Sequence, residues 1–376
     1  MHLWVPELAA AKGGIQTFSH FCHAALLRLA RDWAVTTLEK HGLADRPAPN
    51  TVRGFGRVPA WMRTPVFALA LFRAAQRTRP ALVLSTHVNF LPVARWLKRS
   101  RGVRYVGVAH GVEVWGNLRP SVRQAMLEAD AMWSVSRHTR DRLCAEQGVP
   151  AGRSAVLPDT FEEERFTPGP RPAELAAHLR LPPDAKVIFS VGRLAAAERY
   201  KGFDRVIAAL PRIRQAVPQV HYVIAGSGDD RQRLEALAQS AGVADRVIFA
   251  GFVPTEELCA HYRLCDVFAM PSTGEGFGIV YLEAMACGRP VLAGNRDGST
   301  EPLRDGELGA LVDPENAEQL AGTLVQILER RLVHPLMFEP ERLRERVVRE
   351  FGFNQFCRTL AGHLRPLLPP EMTLAE

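Results

Sequence analysis

A chain of 376 residues exceeds one ordinary hydrophobic core and suits two domains of roughly 150 to 200 residues each. Apolar residues at 47% and charged residues at 23% fit a folded globular protein, and 29 Gly and 27 Pro without a fixed period exclude collagen-like or low-complexity architecture. The formal net charge of +7 is unevenly spread: residues 1–160 carry 22 Lys and Arg against 10 Asp and Glu, and the remainder 25 against 30.

Short β-branched apolar runs alternate with helical stretches, the pattern of βαβ units and a parallel sheet. In the first half it predicts strands at 3–6, 34–37, 81–85, 103–109, 132–135 and 154–157. Helices are predicted at 16–29, 65–77, 92–98, 121–128 and 137–146. Residues 46–112 hold twelve basic residues and no acidic one, interleaved with Phe55, Trp61, Phe67, Leu71, Phe72 and Trp96. Such a mixture suits an anionic membrane surface or nucleic acid; an Arg-rich surface without a partner is the alternative. No recognised nucleic-acid module accompanies the charge, so no nucleic-acid partner is expected. The longest apolar run in this half, Val66 to Phe72, is far short of the ~20 residues a spanning helix needs. No basic region precedes the apolar stretch 3–6, so no signal peptide and a cytoplasmic location are expected.

Residues 162–184 are rich in proline and charge and show no periodicity. They place a linker at 166–184, between a first domain at 1–165 and a second at 185–350, with a helix and tail at 351–376. The second half predicts strands at 186–191, 221–225, 246–250, 266–270 and 290–293, and helices at 203–215, 230–241, 255–263 and 279–287. Residues 353–367 read as a helix with no strand after it. Two successive open α/β units put a cleft between them and offer it loops from the carboxyl ends of their strands. The six cysteines are scattered without C-x-x-C spacing and read as isolated thiols. With no D-x-D or H-E-x-x-H, no metal and no other cofactor is expected.

Four stretches carry chemistry. Lys12-Gly13-Gly14-Ile15-Gln16 joins the first strand to a helix, where free amides make an anion site, although a Gly-Gly turn is equally plain architecture. Val191-Gly192-Arg193-Leu194, then Arg199-Tyr200-Lys201-Gly202-Phe203-Asp204, sets Arg193 and Lys201 in one strand-to-helix connection. There two cations can grip a pyrophosphate and stabilise a leaving group; solvated loop charges are the alternative. Gly226-Ser227-Gly228 lacks the third glycine of a dinucleotide fingerprint, since Arg231 stands there, and reads as a tight turn. The most specific stretch runs from Pro271 through Ser272-Thr273-Gly274-Glu275-Gly276-Phe277-Gly278-Ile279 to Glu283 and on to Pro290. Glu275 precedes the helix and can accept from sugar hydroxyls. The amides of Phe277, Gly278 and Ile279 form the helix start and would face a phosphate, and Glu283 can accept from a ribose.

Glu275-x7-Glu283 within E-G-F-G-I-V-Y-L-E-A-M-A-C-G-x-P-V, with V-G-R-L and K-G-F-D upstream and G-G-I-Q near the start, strongly resembles glycosyltransferase family 4. The resemblance implies the GT-B fold, an α/β architecture of two Rossmann-like parallel-sheet domains facing across a cleft, with the C-terminal helix packing back on the first. It implies retaining hexosyl transfer from a nucleotide sugar, a substrate rather than a cofactor. Arg193 and Lys201 would bind the donor pyrophosphate, Glu275 the sugar and Glu283 the ribose. The backbone of Gly251, Phe252 and Val253 would hold the base, and the Gly14 amide would meet the phosphate. Ala109-His110-Gly111-Val112-Glu113 resembles the family's active-site histidine segment, with His110 beside the donor sugar; a structural histidine is the alternative there. Asp297-Gly298-Ser299-Thr300-Glu301 departs from the Gly-Gly-x-Pro-Glu-type loop of many members. No residue is nominated as a nucleophile, and the resemblance implies a front-face route.

With the basic-aromatic block, these features point to a lipid-linked or lipopolysaccharide-type acceptor at the inner face of the cell membrane. A soluble small acceptor, or a non-catalytic sugar-nucleotide-binding subunit, is the alternative.

Overall fold

Fourteen short strands, most of them apolar and buried, form two sheets in the computed structural model, which describes residues 1–8, 13–46 and 50–375. The chain divides into two units, Met1–Thr160 with Phe353–Glu376, and Phe161–Gly352. In the first, β1 (His2–Val5), β2 (Thr36–Glu39), β3 (Asp45–Arg46), β4 (Val52–Gly54), β5 (Leu82–Ser85), β6 (Arg104–Ala109), β7 (Ala131–Ser134) and β8 (Ser154–Val156) lie in the order β3-β4-β2-β1-β5-β6-β7-β8. All pair in parallel except β3 against β4. In the second, β9 (Lys186–Val191), β10 (Val220–Ala225), β11 (Val247–Gly251), β12 (Val267–Met270), β13 (Val291–Gly294) and β14 (Ala310–Val312) are parallel throughout, in the order β11-β10-β9-β12-β13-β14.

Strands such as β1, β5, β10 and β12 are buried along their whole length because helices close both faces of a parallel sheet. The helix Phe203–Ala216 shows the mechanism. Phe203, Val206, Ile207, Leu210 and Ile213 fall on one stripe and pack into a core with Ile188, Tyr222, Leu292 and Leu324. Each such side chain contributes roughly 1.5–3 kcal/mol relative to exposure. In each sheet the strand order reverses direction once, at β1/β5 and at β9/β12, and ligands in open α/β sheets gather beyond the strand ends at such points.

Several elements differ from the sequence expectation. Residues 166–184 fold with the second unit and contain a short helix, Ala173–His178. Arg171 of this stretch donates to the Ala185 carbonyl oxygen and pairs with Asp266, which ties it to the second sheet. The helix expected from Pro65 begins at Ala60 and continues to Thr78, with Pro65 inside it, where its missing N–H leaves one carbonyl of the first turn without its intrahelical partner. β3, β4, β14 and the helices Ala317–Leu328 and Pro340–Phe351 are additional. The terminal helix Phe353–Leu364 returns to the first unit: Phe356 meets Phe18 edge to face at 5.6 Å, and Arg28 donates to Asn354 at 2.6 Å.

Candidate functional site

The β9/β12 reversal in the second unit organises most of the motif residues. β9 ends at Val191, and the chain passes through Arg193 into a 3-10 turn, Ala196–Lys201. Gly202 closes that turn at φ +81°, and a Cβ there would lie 2.4 Å from the Pro271 carbonyl oxygen, so only glycine lets the turn press on the loop after β12. Thr273 donates its amide to the Tyr200 carbonyl at 2.9 Å and locks the two loops together. Within the turn, Lys201 Nζ stands 2.8 Å from Glu198 Oε2, while Arg193 pairs with Glu198 Oε1. The two cations are not equivalent: the Lys201 side chain is 13% exposed and that of Arg193 is 72% exposed. Lys201 is a largely desolvated charge; Arg193 is a solvent-exposed one.

Asp297, 2% exposed, holds the loop after β12. Its Oδ2 accepts from Ser272 Oγ at 2.7 Å and from the Glu275 amide at 2.6 Å, and its Oδ1 accepts from the Ser299 amide at 2.9 Å. The Gly298 amide donates back to the Glu275 carbonyl at 2.9 Å. The departure at Asp297-Gly298-Ser299 is therefore a clamp that sets the backbone of Glu275. Burial pushes the Glu275 carboxyl up to about 7, against the pull of nearby Lys201. Its buried Oε2 has no hydrogen-bond partner, the state expected of an acceptor awaiting a ligand hydroxyl.

Gly278, at φ +93°, turns the chain into the helix Ile279–Ala286, whose first amides have no intrahelical partner. Phe277 is buried against Phe351, ring to ring at 5.8 Å, and fixes the helix start. Glu283 lies further along the helix, where Tyr262 donates to its Oε2 at 2.7 Å. Burial lifts this carboxyl too to about 7, although the Tyr262 hydroxyl works the other way. Gly251 takes φ +74° and accepts the Gly226 amide at 2.6 Å; Phe252 after it is 71% exposed and Val253 half-buried. The Gly226-Ser227-Gly228 turn packs on the Arg193 loop, with Leu194 donating to Ser227 and Asp230 to Leu194.

His110 and Gly14 belong to the first unit. His110 Nε2 meets the Thr86 carbonyl at 2.9 Å, so this nitrogen carries the proton and Nδ1 remains an acceptor. Burial depresses the imidazole to about 3 and keeps it neutral. The ring stands edge to face with Phe18 at 4.9 Å, on the helix that starts at Gly14. Lys12 of the Gly-Gly turn lies outside the described residues.

The structure thus gathers Arg193, Lys201 and Glu275 beside one another and sets Glu283 on the adjoining helix. Three partners escaped the sequence. Glu198 receives both cations, Tyr262 holds Glu283, and Glu113 accepts the His110 amide at 2.5 Å with its own carboxyl lifted to about 7 by burial. Glu113 and Glu198 lie in the very segments the motifs mark, and a search there for a carboxylate facing each cation or histidine would have found them. Among the described residues no three His, Cys, Asp or Glu side chains gather as a metal site would require.

Comparison with known proteins gives the same outline. Residues 173–346 match the family described as Glycosyl transferases group 1, and residues 13–165 match Glycosyltransferase Family 4. The chain is 36% identical over 248 residues to a GDP-mannose-dependent alpha-(1-6)-phosphatidylinositol monomannoside mannosyltransferase of Mycolicibacterium smegmatis, covering 63% of each chain. It is 32% identical over 301 residues to a D-inositol 3-phosphate glycosyltransferase of Geodermatophilus obscurus, covering 74% of this chain and 66% of that one. The matches thus span just under two thirds of these curated relatives. Sucrose-phosphate synthase from Thermosynechococcus elongatus superposes with a TM-score of 0.77 at 23% identity, over 97% of this chain and 98% of the other. Anabaena Alr3699/HepE in complex with UDP-glucose does so with 0.77 at 20% identity, over 97% and 99%. At these identities the structural likeness is one of fold.

Proposed function

The chain belongs to glycosyltransferase family 4, with the GT-B fold, and on that premise we propose that it moves a hexose from a nucleotide sugar to a hydroxyl of a lipid-linked acceptor, with retention of configuration. The observation that carries this reading is the meeting of Arg193 and Lys201 at the β9/β12 reversal, beside a carboxyl oxygen of Glu275 left without a partner. A nucleotide diphosphate would displace Glu198 as partner of both cations. Positive charge would then face the leaving phosphate as it develops in the transition state, without a bound metal. Glu275 would accept from the sugar and Glu283 from the ribose, with the base along Gly251, Phe252 and Val253. The relatives named for phosphatidylinositol monomannoside and inositol phosphate, and the neighbour that holds UDP-glucose, support a sugar-nucleotide donor and a lipid-linked or inositol-type acceptor. A panel of UDP- and GDP-sugars should show hydrolysis or transfer with one of them, undiminished by excess chelator. No turnover with any would overturn the activity; loss that manganese or magnesium restores would overturn metal independence.

We assign the inner membrane face as the place of work from the helix Ala60–Thr78. Phe67, Leu71 and Ala75 are buried, whereas Trp61 is 81% and Leu69 45% exposed, on the same outward stripe as exposed Arg73 and Arg77. Trp96, 49% exposed, stands 4.5 Å from Phe72 and extends this face. No helix among the described residues is long and apolar enough to cross a membrane. The neighbouring cations serve differently: Lys98 pairs with Asp130 at 2.7 Å, and Arg95 and Arg99 both pair with Glu128. Arg73 and Arg77 form no ion pair among the described residues and are free to meet lipid phosphate. Each is worth about 1 kcal/mol at an anionic surface. Replacing both with glutamine should therefore weaken binding to anionic vesicles by about tenfold or more, and Trp61→Ser should remove a part that salt does not screen. Vesicle binding equal to the parent in both variants would favour a soluble acceptor.

A further inference from the structure

The cysteines that the sequence scatters do not all stay isolated in the fold. Cys259, on the helix Thr255–Leu264, and Cys287, at the end of the helix Ile279–Ala286, bring their sulfurs to 3.8 Å. Cys287 is buried and Cys259 half-buried, so solvent approaches the pair from the Cys259 side. Two cations stand near it. Arg263 donates to Thr167, and Arg344 to the carbonyls of Glu163, Phe166 and Ala286, so neither spends its charge on a carboxylate. The hydrogen bond from the Cys287 S–H, reinforced by these guanidiniums, holds the Cys259 thiol below its ordinary range against the effect of burial. Burial raises the thiols of Cys22, Cys265 and Cys357 instead. The thiolate is the form that attacks an oxidant, and Cys259 is the cysteine placed to supply it.

The same two helices carry a second tie. Tyr262, three residues after Cys259, donates to Glu283, four residues before Cys287, at 2.7 Å. Spacings of three and four keep both ties on facing sides of the helices, about one turn apart. The Cys287 amide also donates to the Glu283 carbonyl at 3.0 Å, so the backbone joins the thiol residue to the carboxylate residue. A disulfide requires sulfurs at about 2.05 Å, so bond formation closes the present 3.8 Å by roughly 1.8 Å. A close-packed interior transmits such a displacement, and one turn away it is large against the Tyr262–Glu283 hydrogen bond.

We propose that Cys259 and Cys287 form a reversible disulfide that switches the donor site, by drawing these helices together and moving Glu283 away from the position where it would accept from a ribose. The effect on the donor rests on the glycosyltransferase reading, whereas the bond is measurable without it. The oxidant is hydrogen peroxide. The Cys259 thiolate attacks one peroxide oxygen and the O–O bond breaks. Cys259 becomes a sulfenic acid, and the departing hydroxide takes the proton that the thiol gave up and becomes water. The Cys287 sulfur then attacks the Cys259 sulfur, the S–O bond breaks, and the hydroxyl leaves with the Cys287 proton as a second water. In all, the two thiols give up two electrons and two protons, and one peroxide becomes two waters. A dithiol reductant reverses the bond by exchange.

The full-length chain treated with hydrogen peroxide should lose two titratable thiols. Unreduced digestion after Glu, Lys and Arg should then join residues 258–263 to residues 284–296, a product distinct from any bond made by Cys265. The UDP- or GDP-sugar that binds the reduced chain should bind the oxidised one at least tenfold more weakly, the size of a lost hydrogen bond to a charged group. Dithiothreitol should restore the affinity. Cys259→Ser, a change at a half-buried position, should bind the same nucleotide sugar as the reduced parent does and ignore peroxide. Cys287→Ala should leave Cys259 as a sulfenic acid that dimedone traps, which identifies the attacking sulfur. Absence of the joined peptides from the oxidised parent overturns the proposal. Joined peptides with unchanged affinity, or a loss of affinity that persists in Cys259→Ser, overturn it equally. Failure of the reduced parent to bind any UDP- or GDP-sugar would instead overturn the transferase reading, with the disulfide still read by mass.

Discussion

Lys201→Ala should lower kcat/KM for the proposed transfer by about 10²-fold or more, the size seen when one preorganised group that stabilises developing charge is removed. The expectation follows from burial. The Lys201 ammonium is held 2.8 Å from Glu198 in a largely desolvated position, where its field on a leaving phosphate is strong. Arg193 shares that carboxylate from a side chain 72% exposed, and water screens it. Arg193→Ala should therefore cost less, on the order of tenfold. Glu275→Ala should match the lysine change, because it removes the unpartnered oxygen at the sugar position. Steady-state rates on variants that melt with the parent separate these effects from misfolding. A Lys201→Ala enzyme within threefold of the parent would sink the donor-site assignment.

The largest effect on stability should come from Asp297→Ala. Its carboxylate accepts from Ser272 Oγ and from the amides of Glu275 and Ser299, at a position 2% exposed. Hydrogen bonds to a charged group contribute roughly 1.5–3 kcal/mol each, and truncation strands buried donors that water cannot reach. The three act on one loop and do not add fully, so a loss of about 3–5 kcal/mol is expected in denaturant unfolding of the second unit. Activity should fall as well, since the Glu275 backbone loses its anchor. Asp297→Asn, which keeps one acceptor oxygen, should recover part of both. A loss below about 1 kcal/mol in Asp297→Ala would show that the clamp is not what holds the loop.

The sequence was most legible where a local rule applied. Buried parallel strands such as β12 and β13 announce themselves as unbroken apolar runs, and the turn glycines with the Glu275-x7-Glu283 spacing mark the loop and helix start. β3 is two polar residues at a sheet edge and has no pattern to read. The helix Pro340–Phe351 buries only Leu343, Val347 and Phe351, an i, i+4, i+8 stripe that its many charges obscure. Partners were harder than motifs. Tyr262 meets Glu283 only because two helices pack, and Asp297 reaches Glu275 only because β13 lies beside β12; neither relation has a spacing rule. The charge excess of the basic block was plain, but which cations stay free depended on Glu128 and Asp130, far away in the chain.

The return of the chain at Gly352–Phe353 has a consequence for synthesis. The second unit is an insertion, emitted whole by the ribosome before the residues that complete the first. Until then the groove beside Phe18 and Phe21 lacks Phe353 and Phe356, the Val156 carbonyl lacks His363 Nε2, and Trp33 lacks the Thr373 carbonyl. Domains generally fold as units during elongation, so the later-made half can reach its native state first while the earlier-made half waits, partly uncovered, for the last two dozen residues.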